Sequence, residues 1–193
     1  MCLITLMRHG KPLGGNVYRG STDHTLSETG YAQMKKKSAL FTACQYVVSS
    51  PLKRCRAFSE YYAVEHSIPC EFDQGFQEIH FGDWEDRSYE DLAQEYQSEL
   101  DRFWQNPLDY TPPNGEPLVS FSSRVIVSWN KIVDHPVANN ILITTHGGVI
   151  RVIMAHVLAI PLAKIAMIAV PYASITRFSV NRSGNIVLLE HNI

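Results

Sequence analysis

Short apolar runs alternate along the chain with longer segments in which apolar residues recur at helical spacing. The runs predict buried strands at residues 3–7, 46–49, 69–72 and 140–145. Two later runs, at residues 174–180 and 186–190, are joined by an Asn-Arg-Ser-Gly turn and predict a hairpin. The first run is followed abruptly by Arg8-His9-Gly10, which is typical of a buried strand that ends in a functional loop.

Helical periodicity fills most of the chain between these strands. Ser27 is a good N-cap for a helix that we expect to run to about residue 41. Ser50-Pro51 starts a second helix, in which four apolar residues between positions 52 and 62 lie on one face. Further helices are predicted at residues 87–104, 119–133 and 149–159, and the last is apolar nearly all round, so we expect it to be buried. Four prolines in residues 106–117 predict an extended excursion.

The order of these elements predicts the fold class. Strands that alternate with helices are typical of an α/β protein, so we expect a three-layer α/β/α sandwich with a mostly parallel sheet and helices on both faces. The 193 residues are 45 % hydrophobic and 19 % charged, which is enough for one domain with a sizeable core. A single domain over residues 1–193 is therefore expected.

Charge and cysteine content narrow the class of protein. Seventeen Lys and Arg residues against nineteen Asp and Glu give a net charge of −2, which argues against a generally basic nucleic-acid surface but not against a local basic pocket. No apolar run approaches the roughly 18 residues that cross a bilayer, and residues 1–10 do not resemble a signal peptide. The four cysteines form neither a CxxC motif nor a metal-type spacing. We therefore expect a reduced, cytoplasmic protein that binds neither nucleic acid nor membrane.

Two segments share one pattern, in which a buried strand is followed by a histidine and then by glycine. The first gives Arg8-His9-Gly10 and the second gives His146-Gly147-Gly148. In open α/β sheets, ligands bind at the carboxyl ends of the strands, and the free N–H groups of a helix N-terminus favour an anion. A lone histidine is usually structural or exposed, but two in matching positions beside an arginine are much less expected by chance. The pattern therefore predicts an anion site.

Two other segments supply charged residues whose roles the pattern leaves open. Arg54 lies in the first turn of its helix, and Arg56 lies about 200° further round, so both cannot point at one ligand. Both can equally be solvated surface residues. Residues 76–85 hold carboxylates among aromatic side chains, where desolvation favours the protonated form that a general acid needs. The candidates for that acid are Glu78, Asp83 and Glu85.

Taken together, these segments resemble the four signatures of the histidine phosphatase superfamily, in the family's order and over essentially the whole chain. The matching segments are Met7-Arg8-His9-Gly10, residues 50–55, Gln77-Glu78 with Phe81-Gly82, and Thr145-His146-Gly147-Gly148. The resemblance implies the phosphoglycerate mutase-like fold, with a lid-like excursion at about residues 76–117 over the active site. It also implies a reaction that passes through a phosphohistidine.

The resemblance assigns a role to each of the matching residues. His9 becomes the nucleophile, Arg8 and Arg54 hold the phosphate, and Glu78 donates and accepts the proton. His146 becomes the second pocket histidine, which stabilises the phosphate oxygens in a protonated or a donating form. The family's pocket asparagine falls six residues after the nucleophile, where this chain has glycine. The remaining expected substrate-binding residues are therefore Asn16, the nearest candidate, and Gly147.

The resemblance is greatest to the branch of α-ribazole-5′-phosphate phosphatases of cobalamin biosynthesis. A small phosphorylated metabolite is then the expected substrate, with no cofactor or metal, and the protein is a monomer or a homodimer. Alternatives are a broad-specificity sugar or nucleotide phosphatase, a phosphoprotein phosphatase and a mutase, although the chain is shorter than cofactor-dependent mutases. An inactive phosphate-binding module is another. A metal site built from His9, His80 and His146 is disfavoured, because adjacent arginines would repel the cation.

Overall fold

A six-stranded sheet forms the centre of the molecule in the computed structural model, which describes residues 1–41 and 43–193. Its strands are β1 (Cys2–Arg8), β2 (Tyr46–Ser49), β3 (Cys70–Phe72), β4 (Asn140–Thr145), β5 (Ile175–Val180) and β6 (Ile186–His191). They are ordered β3-β2-β4-β1-β5-β6, and the first four are parallel. β5 and β6 are antiparallel, so the predicted mostly parallel sheet and its terminal hairpin are confirmed.

In the described part of the chain, five α-helices connect the strands, close to the predicted positions. They are α1 (Glu28–Ser38), α2 (Lys53–His66), α3 (Tyr89–Gln105), α4 (Leu118–Asp134) and α5 (Gly147–Val157). The predicted N-cap of α1 is confirmed, because Ser27 Oγ accepts from the Gly30 N–H at 3.0 Å. α1 ends before residue 41 because Leu40 and Phe41 bond three residues back, to Lys37 and Ser38, which breaks the helical pattern.

The two faces of the sheet carry separate apolar clusters. Successive side chains of a strand point to opposite faces, so neighbouring residues belong to different clusters. On one face Ile4, Leu6 and Ile143 pack with Trp129 of α4 and Ile153 of α5. The opposite cluster contains Met7, Val47 and Leu142 with Met34 of α1 and Phe58 of α2. Helices therefore cover both faces, as predicted.

The segment between β3 and α4 has a small core of its own. Its fully buried Trp84 packs against Phe103 and Tyr110, with ring centroids 5.5 and 5.9 Å away. Ser88 and Asp91 form a capping box that starts α3, which is why this helix begins two residues later than predicted. Residues 106–117 form turns and irregular backbone without a helix or strand, as their four prolines predict. That this segment belongs to a lid over the active site stays a prediction.

No helix in residues 1–41 or 43–193 is both long and apolar enough to span a membrane.

Candidate active site

Three strand ends meet at the carboxyl edge of the sheet. Arg8 of β1 pairs with Thr145 of β4, and the His9 N–H donates to the Thr145 carbonyl at 2.9 Å. This pairing brings His9 beside His146, with ring centroids 5.1 Å apart. β2 adds the third end, where the Ser50 N–H donates to Thr144 at 2.9 Å. The two matching sequence segments are thus neighbours in space.

His9 is held in the form that a nucleophile needs. Its Nδ1 lies 2.8 Å from the Gly10 carbonyl oxygen, which can only accept, so Nδ1 carries the proton and Nε2 keeps a lone pair. The pKa of His9 lies well below its ordinary value of 6.5, because burial and the charges of Arg54 and Arg8 disfavour the imidazolium. The ring is therefore neutral at pH 7.

His146 is fully buried behind His9. Its Nδ1 accepts from Arg54 Nε at 3.3 Å, which assigns its proton to Nε2, 2.7 Å from Ser50 Oγ. Burial and the charge of Arg54 keep the pKa of His146 well below 6.5. Of the two forms predicted for this residue, the neutral donor is favoured, and that donor faces Ser50.

Arg54 is the most deeply buried charge of the site, with no exposed surface. Its guanidinium donates to the Thr22 and Gly20 carbonyls at 2.7 and 2.6 Å. Together with the bond to His146, three of its five N–H groups are used, which leaves two for a ligand. The alternative that Arg54 is a solvated surface residue is wrong. It holds for Arg56, which is exposed and pairs with Glu60 at 2.8 Å.

Arg8 faces the same space from β1. It donates to the Val170 carbonyl at 2.5 Å, and its guanidinium lies 4.1 Å from the centre of the Tyr172 ring. Its Nε is buried and, in the described part of the chain, has no hydrogen-bond partner. Gly147 lies next to it, since a Cβ at that position would be 3.4 Å from Arg8 Nε. An unsatisfied buried donor is costly, so this one is poised for an acceptor from a ligand.

The three candidate carboxylates separate clearly in the structure. Glu78 lines the cavity with His9, and its Oε2 accepts from the Gly148 N–H at 3.0 Å. Asp83 accepts from the Asn114 amide and is exposed. Glu85 accepts from the N–H groups of residues 21, 22 and 81. Burial alone would raise the pKa of Glu85, but these bonds and that of the Thr22 hydroxyl outweigh it and lower the pKa, which disfavours a general acid.

Glu85 instead supports Arg54. It binds the backbone of Ser21 and Thr22 at 2.7 and 2.6 Å, in the loop whose carbonyls hold the buried guanidinium. Glu78 is held in a comparable way. Arg124 donates to the Glu78 backbone carbonyl at 3.0 Å, and an ion pair with Glu116 at 2.7 Å fixes Arg124 in turn. Both catalytic candidates are therefore fixed by residues outside the cavity.

The cavity in front of His9 has a volume of about 290 Å³. Arg8, Asn16 and Glu78 line it, whereas Arg54 and His146 lie behind its wall. Sequence reasoning missed several further lining residues, among them Arg19, Arg151 and Tyr172. Arg151 could have been found, because it follows Gly147 by one helical turn. Arg19 could not, since its place depends on bonds to the Leu13 and Gly15 carbonyls within an irregular loop.

Comparison with known proteins decides the family. The model of the histidine phosphatase superfamily (branch 1) matches residues 4–193. The chain belongs to this superfamily. This histidine phosphatase is 29 % identical over 169 residues to the adenosylcobalamin/α-ribazole phosphatase of Salmonella typhimurium. The aligned region covers 84 % of this chain and 82 % of that protein.

A second curated relative and a solved structure are also similar to this histidine phosphatase. A 2,3-bisphosphoglycerate-dependent phosphoglycerate mutase of Pseudoalteromonas atlantica is 22 % identical over 97 % of both chains. The crystal structure of the α-ribazole phosphatase from Shigella flexneri has a TM-score of 0.89 at 24 % identity, covering 99 % of this chain and 96 % of that one. This last likeness confirms the predicted fold.

The charges of this histidine phosphatase suit an anion. Four arginines, Arg8, Arg19, Arg54 and Arg151, surround or underlie one cavity, and the described residues that line it include a single carboxylate, Glu78. His80, which the alternative metal site requires, is exposed and accepts from the Gly82 N–H at 3.0 Å. Within residues 1–41 and 43–193, no three His, Cys, Asp or Glu side chains are grouped to hold a metal ion.

Replacement of Arg54 tests the predicted phosphate contact. We expect Arg54→Ala to lose on the order of 2–4 kcal/mol of transition-state stabilisation, because a preorganised charged donor is removed. The measurement is kcat/KM on a phosphomonoester, for protein whose circular dichroism matches wild type. Arg56→Ala is the matched control on the same helix and is expected to stay within about twofold of wild type. A crippled Arg56→Ala beside a normal Arg54→Ala would reverse the assignment.

Proposed function

We propose that this histidine phosphatase hydrolyses small phosphomonoesters through a phosphohistidine formed on His9. The observation that carries the proposal is the hydrogen bond from Nδ1 to the Gly10 carbonyl, which leaves Nε2 of a neutral, buried ring as the nucleophile. A binding module has no need of a nucleophile held in this way beside a carboxylate.

In the first step, His9 Nε2 attacks phosphorus and the bond from phosphorus to the leaving oxygen breaks. Protonated Glu78 gives its proton to that oxygen, so the product leaves as a neutral alcohol. Arg8 and the two unused N–H groups of Arg54 stabilise the phosphoryl oxygens. The Nδ1–H of His9 keeps its hydrogen bond to the Gly10 carbonyl while the ring carries the phosphoryl group.

In the second step, water replaces the departed alcohol. The Glu78 carboxylate takes a proton from this water while its oxygen attacks phosphorus, and the bond between phosphorus and His9 Nε2 breaks. Inorganic phosphate leaves, His9 is neutral again, and Glu78 is protonated for the next cycle. One carboxylate thus serves as acid and then as base.

The substrate we propose is α-ribazole 5′-phosphate, in cobalamin biosynthesis. The support is the relative of that name, 29 % identical over 84 % of this chain, and a cavity of about 290 Å³ that suits a small metabolite. The aromatic side chains of Tyr18, Phe81, Tyr89 and Trp104 on the cavity wall also suit a substrate that carries a ring. The four cysteines, which form neither a CxxC motif nor a metal-type spacing, support a reducing, cytoplasmic location.

A substrate profile tests this proposal. Phosphate release is measured from α-ribazole 5′-phosphate, ribose 5-phosphate, adenosine 5′-phosphate and 3-phosphoglycerate. We expect the highest kcat/KM for α-ribazole 5′-phosphate, by about tenfold or more over ribose 5-phosphate, which has the same type of leaving alkoxide. Equal values across the set would indicate a broad-specificity phosphatase instead, and transfer to 3-phosphoglycerate would indicate a mutase.

The phosphohistidine is expected on His9 itself. Rapid quench with ³²P-labelled substrate should trap label that is stable to alkali and labile to acid, and peptide mapping should place it at residue 9. His9→Ala should trap none, because no other nucleophile is assigned. His80→Ala, which removes an exposed histidine, should trap as much as wild type. Label on a serine, cysteine or aspartate would contradict the mechanism.

The role of Glu78 is tested by leaving-group dependence. Glu78→Gln should lower kcat/KM for alkyl phosphates by roughly 10²–10⁴-fold, because their alkoxides need a proton. The loss on p-nitrophenyl phosphate should be far smaller, since p-nitrophenolate leaves unprotonated. Asp83→Asn, which changes an exposed carboxylate on the same segment, is the control. Equal losses on both substrate types would leave Glu78 with an orienting role only.

A further inference from the structure

A second, apolar pocket opens beside the cavity in front of His9, which is the proposed phosphate site. It has a volume of about 80 Å³, and its wall includes Phe103, Phe121, Ile165 and Ala166. Arg151, at its border, is the one charged side chain among the described residues that line it. Such a pocket excludes the phosphate itself, since nothing but that border arginine is present to replace the water around a dianion.

The two pockets are adjacent and share part of their walls. Phe81, Trp104 and Arg151 line both of them. About half of the Trp104 side chain is exposed, and its ring is held in place because Nε1 donates to the Tyr18 hydroxyl at 2.9 Å. A fixed aromatic face at the junction of an anion-binding site and an apolar site offers stacking at low entropic cost.

The apolar pocket also lies next to Glu78, the proposed proton donor. Gly148 lines it and donates its N–H to Glu78. A Cβ on Gly148 would lie 2.2 Å from Glu78 Oε1 and 3.3 Å from Phe121 Cζ, so the carboxylate and the apolar wall are packed against the same glycine. Because the leaving oxygen must reach Glu78, the organic part of the substrate starts at the mouth of this pocket.

We propose that the apolar pocket is a leaving-group subsite that takes the edge of a planar aromatic ring. A volume of about 80 Å³ holds the edge of a ring with its methyl groups rather than a whole bicyclic base, which leaves the ring face for Trp104. The inference rests on the proposed function. For α-ribazole 5′-phosphate, the methyl-bearing edge of the dimethylbenzimidazole enters the pocket.

The test compares substrates that differ in the ring but not in the type of leaving alkoxide. One pair is α-ribazole 5′-phosphate with ribose 5-phosphate, and the second is 2-phenylethyl phosphate with ethyl phosphate. The measured quantity is the ratio of kcat/KM within each pair. We expect wild type to favour the ring-bearing member of both pairs, by about three- to fourfold for each methyl or methylene-sized group that is buried.

Ala166→Leu should fill the pocket and reduce both ratios by roughly fivefold or more, chiefly through KM. Met167→Leu is the matched control, because Met167 is 80 % exposed and does not line the pocket. Trp104→Ala is the second variant and should reduce the same ratios, with Leu108→Ala, an exposed residue outside the pocket, as its control. Circular dichroism and thermal melting verify that each variant folds.

The outcomes separate the subsite from the substrate assignment. If α-ribazole 5′-phosphate is a poor substrate but Ala166→Leu still abolishes the preference for 2-phenylethyl phosphate, the subsite stands and the assignment to α-ribazole falls. If α-ribazole 5′-phosphate is hydrolysed well but Ala166→Leu and Trp104→Ala leave both ratios unchanged, the subsite is wrong and the proposed function stands. In that case the pocket is only a gap in the packing.

Discussion

The parallel pairing of β1 with β4 is the constraint on which the rest of the site depends. Because Arg8 is in register with Thr145, the residues that follow, His9 and His146, emerge side by side at the carboxyl edge. β1 and β4 are central in the sheet, so both histidine rings are buried although they lie just beyond the strand ends. Burial beside arginine charges keeps the imidazole of His9 neutral, which is the condition for nucleophilic attack.

The same burial creates a problem that the surrounding structure solves. A guanidinium without exposed surface is costly unless its donors are satisfied, and Arg54 finds its acceptors in a loop rather than in the sheet. That loop has no regular structure, and Glu85 fixes it by accepting from two of its N–H groups. In the proposed mechanism, the two remaining N–H groups of Arg54 are thereby held in place before any phosphate arrives, which is preorganisation in the sense that catalysis requires.

Sequence patterns predicted what depends on local order and failed where distant segments meet. Strand, histidine and glycine are adjacent in the chain, so the carboxyl-edge site followed directly from their spacing. The choice among Glu78, Asp83 and Glu85 did not, because all three lie within eight residues and differ only in partners from elsewhere in the fold. The early start of α5, at Gly147, has a related cause: propensity disfavours glycine in a helix, whereas the site requires glycine at position 148, where a Cβ would lie 2.2 Å from Glu78 Oε1.

The architecture assigns the two tasks of the enzyme to different parts of the chain. The groups that we propose to hold and attack the phosphate come from the sheet edge, where registers fixed by backbone hydrogen bonds leave little freedom. The aromatic wall comes mainly from the segment between β3 and α4, which has its own small core around Trp84 and can change without disturbing the sheet. Glu78 lies between them, because it lines the cavity with His9 and packs against Gly148 of the apolar pocket, so in the proposed mechanism it serves both tasks. Substitutions in that segment should therefore alter which alcohol leaves, while the chemistry at phosphorus stays the same.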